Sequence, residues 1–293
     1  MKYEDAKSAS KNMNKNTMDP STNPNAPNSI SRRHFIYTAG IGAIAMGLQQ
    51  IGCSVSKKPI QQSLVNPPIQ GFERTSCFRE DLYAMRTIYE SGGFGKLVYS
   101  EGEYFHYMSE PIASYKDWRV GLPPQWYPTH SNAYYIGVTG GSFTEVSCLG
   151  MPSIVSHLQA VNNRYKNPFG TEIAMFRTSE GGTARMGVSW DTPGDSGERG
   201  RVRGQKGSFY GKYEGLEKTL PNLNRPSLPP GVPPGGHGGS HGYLMNEFVT
   251  AILQDRKPLV DIAVALNMTV AGIIAHQSAL KEGELMKIPQ YNF

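Results

Sequence analysis

Cysteine is scarce in this 293-residue chain: Cys53, Cys77 and Cys148 make an odd number with no CxxC spacing. That argues against both a disulfide framework and a zinc knuckle. No large excess of one charge exists either. The formal net charge is +5, and six Lys/Arg against three Asp/Glu in residues 1–56 supply +3 of it, leaving 23 against 21 beyond. No basic stripe interleaved with aromatics appears, so nucleic-acid binding is not expected. Apolar residues make up 38 % and the mean hydropathy is −0.43, low for a fully packed globule, so part of the chain is expected to lie outside any core. The apolar stretch 37–48 is too short to span a bilayer stably. Ser278-Ala279-Leu280-Lys281 fits SxxK without its companion motifs, so a serine nucleophile of the penicillin-binding type is not supported.

Residues 1–30 hold Asn, Ser, Lys and Pro and almost no large apolar side chain, the composition of a disordered tail. Ser31-Arg32-Arg33-His34-Phe35-Ile36 and the apolar stretch behind it resemble a twin-arginine (Tat) signal, which places a signal segment at 31–56 and implies export of a folded protein to the periplasm. Gln50-Ile51-Gly52-Cys53 matches a lipobox in its last three positions. The leader therefore ends either in a lipid anchor at Cys53 or in cleavage after Ser54-Val55-Ser56. Gly40-Ile41-Gly42-Ala43-Ile44-Ala45 has the GxGxxA spacing of a dinucleotide loop. It fails the context that chemistry requires: no strand precedes it, and no acid for a ribose hydroxyl occurs before Glu73.

Pro59, Pro67 and Pro68 mark 57–71 as a linker, and 72–293 reads as one domain. A helix is expected from Glu80, with Leu82, Met85 and Tyr89 on one face and Ser91-Gly92-Gly93 as its stop. From Leu97 to Tyr107 the residues alternate, which sets Val98, Ser100, Gly102, Tyr104 and His106 on one face and Leu97, Tyr99, Glu101, Glu103 and Phe105 on the other. Further strands are expected at about 143–150, 171–179, 183–191, 200–204 and 207–212, and a long Pro/Gly loop at 221–242. Two helices follow. The first, 243–254, is expected to bury Leu244, Met245, Phe248, Val249 and Ile252; the second, capped by Asp261, to bury Ile262, Leu266, Val270, Ile273, Ile274 and Leu280 before Gly283. The fold class is α+β, an open, mostly antiparallel sheet with helices on one face.

The strand Gly95 to His106, the segment Trp126-Tyr127-Pro128-Thr129-His130-Ser131, the strand Phe143 to Cys148, and the ending from His237-Gly-Gly-Ser-His241 through Glu247-Phe248-Val249 to His276-Gln277-Ser278-Ala279-Leu280 resemble the C-terminal half of Gfo/Idh/MocA oxidoreductases, in the exported, sugar-acting branch that includes NAD-dependent glycosidases. The resemblance implies NAD(P) as cofactor and a sugar or glycoside as partner. It also implies an N-terminal Rossmann domain of which no trace is legible between the leader and Glu73, so no cofactor-binding residue is assigned here, and that half is expected either to come from a separate Rossmann-domain chain or to have been lost from the gene model. Lys57-Lys58-Pro59 only echoes the family's catalytic Lys-Pro pair, and reads as linker. The family also builds oligomers through this sheet. A non-catalytic periplasmic sugar-binding or oligomer-forming relative is the competing reading.

The resemblance puts His130 at the family's active-site histidine. Its place at an expected helix start disfavours the imidazolium and suits a base for a sugar hydroxyl. Tyr127 either donates to the same substrate or packs. Tyr104 and His106 would wall the site with their common strand face. Trp118 and Arg119 offer a stacking ring and a hydrogen-bonding fork. His237 is a substrate contact candidate from the glycine loop; as metal ligands, His237 and His241 lack a third partner and a rigid support, so no metal site is assigned.

Overall fold

The computed structural model describes residues 75–113 and 118–292. The tail, twin-arginine segment, linker, GxGxxA run and Cys53 fall outside the described residues. The first helix, α1 (Glu80–Glu90), buries Leu82, Ala84, Met85 and Ile88 along one stripe. It ends as its sequence dictates: Gly92 takes φ 78°, and the Gly93 N–H returns to the Ile88 carbonyl at 2.8 Å.

Among the described residues eight strands build one open sheet: β1 (Leu97–Phe105), β2 (Phe143–Pro152), β3 (Phe169–Thr178), β4 (Thr183–Ser189), β5 (Gly197–Gly204), β6 (Gly207–Tyr210), β7 (Lys212–Gly215) and β8 (Met286–Lys287). Their order is β7-β6-β5-β1-β4-β3-β2-β8, and only β1 and β4 run parallel. The expected class is the one observed. The strand expected at 207–212 is in fact the hairpin β6–β7, turned at Gly211 with φ 73°. Helices cover one face. On the other, Glu101 is flanked by Arg185 and Arg201 across the neighbouring strands, beside exposed Leu149, Met151 and Met175.

The expected alternation of β1 holds from Ser100 onward and fails before it. Leu97 pairs with Gly204 and Tyr99 with Arg203, so Val98 is an extra residue bulged out to solvent, and Leu97 turns into the core. The last two helices, α3 (Ser240–Leu253) and α4 (Ile262–Ala279), correct a larger expectation. In α3, Met245, Phe248, Val249 and Ile252 are exposed rather than buried; only Leu244 of the expected set joins the partly buried residues against the core. In α4 the buried face is Ala263, Met268, Ala271, Gly272, Ala275 and Ala279, while Ile262 and Leu280 are exposed and Leu266, Val270, Ile273 and Ile274 half-buried, Ile274 alone of the expected set packing against the core. Steric demand explains the choice of face. A Cβ at Gly272 would lie 2.0 Å from the Gln125 carbonyl oxygen, so α4 meets the turn at 124–126 through its smallest residues. The Asp261 cap is as expected, with its carboxylate accepting the Val264 N–H at 2.9 Å.

A short helix, α2 (Thr129–Asn132), continues into a wider π turn over Ala133–Gly137. It lies on the sheet where Gly102 of β1 pairs with Gly200 of β5. The fit leaves no slack. A Cβ at Gly102 would stand 2.2 Å from the Ser131 carbonyl oxygen, and one at Gly200 2.3 Å from the Tyr134 ring.

Gly102→Ala is therefore expected to cost about 1–3 kcal/mol by overpacking against backbone. At about 2–4 °C per kcal/mol for a domain of this size, thermal unfolding monitored by circular dichroism should show a drop of several degrees. An unchanged Tm would mean that α2 is not pressed onto the sheet.

Candidate functional site

The glycine pair sets α2 down so that His130, 1 % exposed, lands between the next cross-strand pair, Tyr104 of β1 and Glu198 of β5. The Tyr104 ring stacks on the imidazole with centroids 4.3 Å apart. On the other side Nδ1 of His130 lies 3.0 Å from Glu198 Oε1 and 2.8 Å from Ser76 Oγ. Ser76 Oγ donates its one hydrogen to Glu198 Oε2 at 2.5 Å. With that hydrogen spent, the contact between Ser76 and Nδ1 needs its proton from the ring. Nδ1 is therefore the protonated nitrogen, and in the neutral imidazole Nε2 holds the lone pair. No described residue is hydrogen-bonded to Nε2.

This arrangement excludes a hydrolytic triad. Serine and carboxylate both sit on Nδ1, whereas a triad needs the serine on the opposite nitrogen. What remains is an oriented imidazole whose free nitrogen accepts a proton or a hydrogen bond. Burial pushes the Glu198 carboxyl up, but the hydrogen bonds from His130 and Ser76 and the charge of Arg79 outweigh it and hold the acid below its ordinary range.

Around this centre the structure brings together most of the expected residues. Tyr127 is buried, with its ring 5.1 Å from that of His130. The Tyr104 hydroxyl lies 2.8 Å from His106 Nδ1. Burial first, then the charges of Arg119 and His130, hold the His106 imidazole below the usual histidine range. His237, in left-handed backbone at φ 52°, sets its ring parallel to that of His130 at 6.4 Å and meets His241 Nε2 through its own Nδ1 at 2.9 Å. Burial and the neighbouring His241 lower its proton affinity, against the pull of Glu198. Among the described residues no cluster of three or more His, Cys, Asp or Glu side chains is placed to hold a metal.

The remaining two expected residues differ in placement. Arg119 is buried, its guanidinium 4.2 Å over the Tyr127 ring and 5.2 Å over that of Trp190, with Nη2 donating to the Tyr104 hydroxyl at 3.5 Å, so it braces the pocket wall through these rings. Trp118 is exposed and is not among the rings against His130. Sequence reasoning missed Ser76, Glu198 and Trp190. For Glu198 a signal existed: in Gly-Glu-Arg-Gly-Arg-Val-Arg-Gly the alternation sets Glu198, Gly200 and Val202 opposite Arg199, Arg201 and Arg203. Ser76 lies in a single 3₁₀ turn (Thr75–Phe78), where no period applies.

The described residues do not fit a dinucleotide. A pyrophosphate cradle needs a strand leading through a glycine turn into a helix, and the glycine turn that opens α3 follows a long loop instead.

No protein-family profile and no curated protein matches the sequence. Solved structures do match in fold. A levoglucosan dehydrogenase in complex with NADH and levoglucosan superposes with TM-score 0.53 at 14 % identity, over 75 % of this chain and 64 % of that one. An oxidoreductase domain protein from Kribbella flavida gives 0.54 at 14 % identity, over 74 % and 65 %. A putative myo-inositol dehydrogenase from Sinorhizobium meliloti 1021 gives 0.54 at 13 % identity, over 74 % and 64 %. The chain thus spans less than two thirds of the length of each. The fold, an α+β open sheet with helices on one face, is shared with these dehydrogenase structures.

The network around Nδ1 predicts a single tautomer. Nitrogen-15 spectra of the neutral protein should show His130 with a protonated Nδ1 and a lone pair on Nε2, and Ser76→Ala with Glu198→Gln should convert this to a mixture. Because the Glu198 pKa is depressed on folding, its stabilisation is complete above the unfolded value of roughly 4.3 and is lost as pH falls through the folded value. Glu198→Gln should flatten that acid limb; an unchanged limb and an unchanged tautomer would contradict the network.

Proposed function

We propose that this chain is an exported, sugar- or glycoside-handling relative of the Gfo/Idh/MocA oxidoreductases, and that its NAD(P)-binding half is supplied by a separate polypeptide. The observation that carries the reading is His130, fixed through Nδ1, with no described residue hydrogen-bonded to Nε2 and with the rings of Tyr104, Tyr127 and His237 packed around the imidazole and His106 bonded to the Tyr104 hydroxyl. Phenols and imidazoles suit a neutral polyol, which needs many directional hydrogen bonds and little charge. In this reading His130 and Tyr127 act on the reacting hydroxyl, with His130 Nε2 accepting its proton, while Tyr104, His106 and His237 orient the ring. The levoglucosan and inositol enzymes of the same fold support a sugar as ligand.

The α3 stripe supports a partner. Met245, Phe248, Val249 and Ile252 recur at helical spacing and are all exposed, an arrangement that a folded domain docking on them would bury. Nucleotide chemistry belongs to that partner. A second copy of this chain is proposed to pair through the open sheet face, where the Glu101 charge cluster adjoins Leu149, Met151 and Met175. The lack of fit to a dinucleotide favours one alternative, a periplasmic sugar-binding protein that uses the same pocket without turnover.

Calorimetry separates the readings. The chain alone should give no micromolar isotherm with NAD(H) or NADP(H), and a one-to-one isotherm would overturn the two-chain account. Levoglucosan, myo-inositol and sugars found by array screening are the pocket probes; His130→Ala should weaken the one that binds by about tenfold or more, roughly 1.4 kcal/mol. Binding unchanged in His130→Ala would remove the pocket. Export is tested in cells. Replacing Arg32 and Arg33 with Lys should leave precursor in the cytoplasm, and undiminished periplasmic yield would refute the twin-arginine route.

A further inference from the structure

Of the three tryptophans, Trp190 is fully buried, while Trp118 and Trp126 are 42 % and 41 % exposed. Each exposed indole is followed in sequence by a residue that points inward. Arg119 and Tyr127 are both buried, and they contact each other in the pocket wall. One stretch of chain thus lines the His130 pocket on its inner side and carries two indoles on its outer side. Tyr165 links those two positions: its hydroxyl donates to the Trp118 carbonyl, and its ring meets Trp126 edge to face at 5.9 Å. Trp126 meets His276 edge to face as well, at 5.6 Å, and no described ring stacks on it in parallel.

The loop that presents Tyr165 is held rigidly. Asn163 and Asn167, both 2 % exposed, make seven hydrogen bonds with their side-chain amides, to the backbone of Leu158, Asn167, Tyr165, Gly121 and Phe169. Gly121, at φ 69°, leaves room for Asn163, since a Cβ there would lie 2.2 Å away. These bonds fix a surface loop and its junction with the Trp118–Arg119 turn. Ordering a loop costs conformational entropy, and the return on a pre-ordered aromatic surface is cheaper binding. Partly exposed indole and phenol rings match the C–H face of a pyranose, and Arg164, 5.5 Å over the half-buried Tyr165 ring, adds donors for hydroxyls.

We propose that Trp126, Tyr165 and Trp118 form an outer carbohydrate platform that binds a sugar unit of an oligosaccharide or polysaccharide, separate from the His130 pocket. The choice of a sugar as ligand rests on the reading of that pocket; the platform itself rests on the rings and their braced loop.

The test uses the full chain on an array of oligosaccharides of two or more rings, followed by solution affinities for the best binder and for its constituent monosaccharide. Trp126→Ala and, independently, Trp118→Ala should each weaken the oligosaccharide about tenfold or more and leave the monosaccharide unchanged. His130→Ala should do the reverse, losing the monosaccharide while the oligosaccharide is still retained. If both tryptophan variants bind like wild type, or wild type retains no oligosaccharide, the platform is overturned. It is overturned also if the variants change sedimentation rather than glycan retention, because the rings then serve an interface between copies. If His130→Ala alters nothing while the tryptophan variants lose the oligosaccharide, the pocket reading fails and the platform stands.

Discussion

The close approach of α2 to the bare Gly102–Gly200 pair governs the site. Two glycines facing each other across β1 and β5 remove the side chains that would hold a helix off the sheet, and the Ser131 carbonyl occupies the space. One cross-strand step further along, the same two strands present Tyr104 and Glu198. The helix can then place His130 between a ring that stacks and an acid that bonds. A larger residue at Gly102 would meet the Ser131 backbone, which cannot rotate out of the way, and one at Gly200 the buried Tyr134 ring, so either would push on the segment that carries His130.

A second buried pair follows related logic but serves the frame. His276 Nδ1 lies 2.6 Å from Glu172 Oε1, while Glu172 Oε2 accepts the Gln125 N–H at 2.7 Å. One carboxylate thus fastens α4, β3 and the turn before α2. That turn is also where Gly272 lets α4 come close and where Trp126 and Tyr127 diverge to opposite sides of the wall. The pocket, its outer face and the final helix share one rigid junction.

Much of this was legible from residue order. Period two gave the inward set Ser100, Gly102 and Tyr104, and the Asp261 cap and the Gly92 stop followed from local chemistry. The faces of α3 and α4 were not legible, because periodicity says which residues share a face and not what that face meets. In α4 the small residues win the core through the steric demand of the Gln125 carbonyl, a contact between segments almost 150 positions apart. The burial of Arg119 between rings was not legible, because a guanidinium packed in this way has no local signature. Ser76 and Glu198 meet His130 across 54 and 68 positions, and only the fold makes them neighbours.

The central claim is that His130 Nε2 is the atom that meets a sugar hydroxyl. A crystal structure of the protein soaked with levoglucosan, or with the best monosaccharide from array screening, tests it directly. The account predicts a sugar ring against Tyr104 and Tyr127 with one hydroxyl oxygen about 2.7–3.0 Å from His130 Nε2, the distance of a normal hydrogen bond. A sugar bound with Nε2 facing only water, or with His130 turned so that Nδ1 has left Glu198, would contradict it.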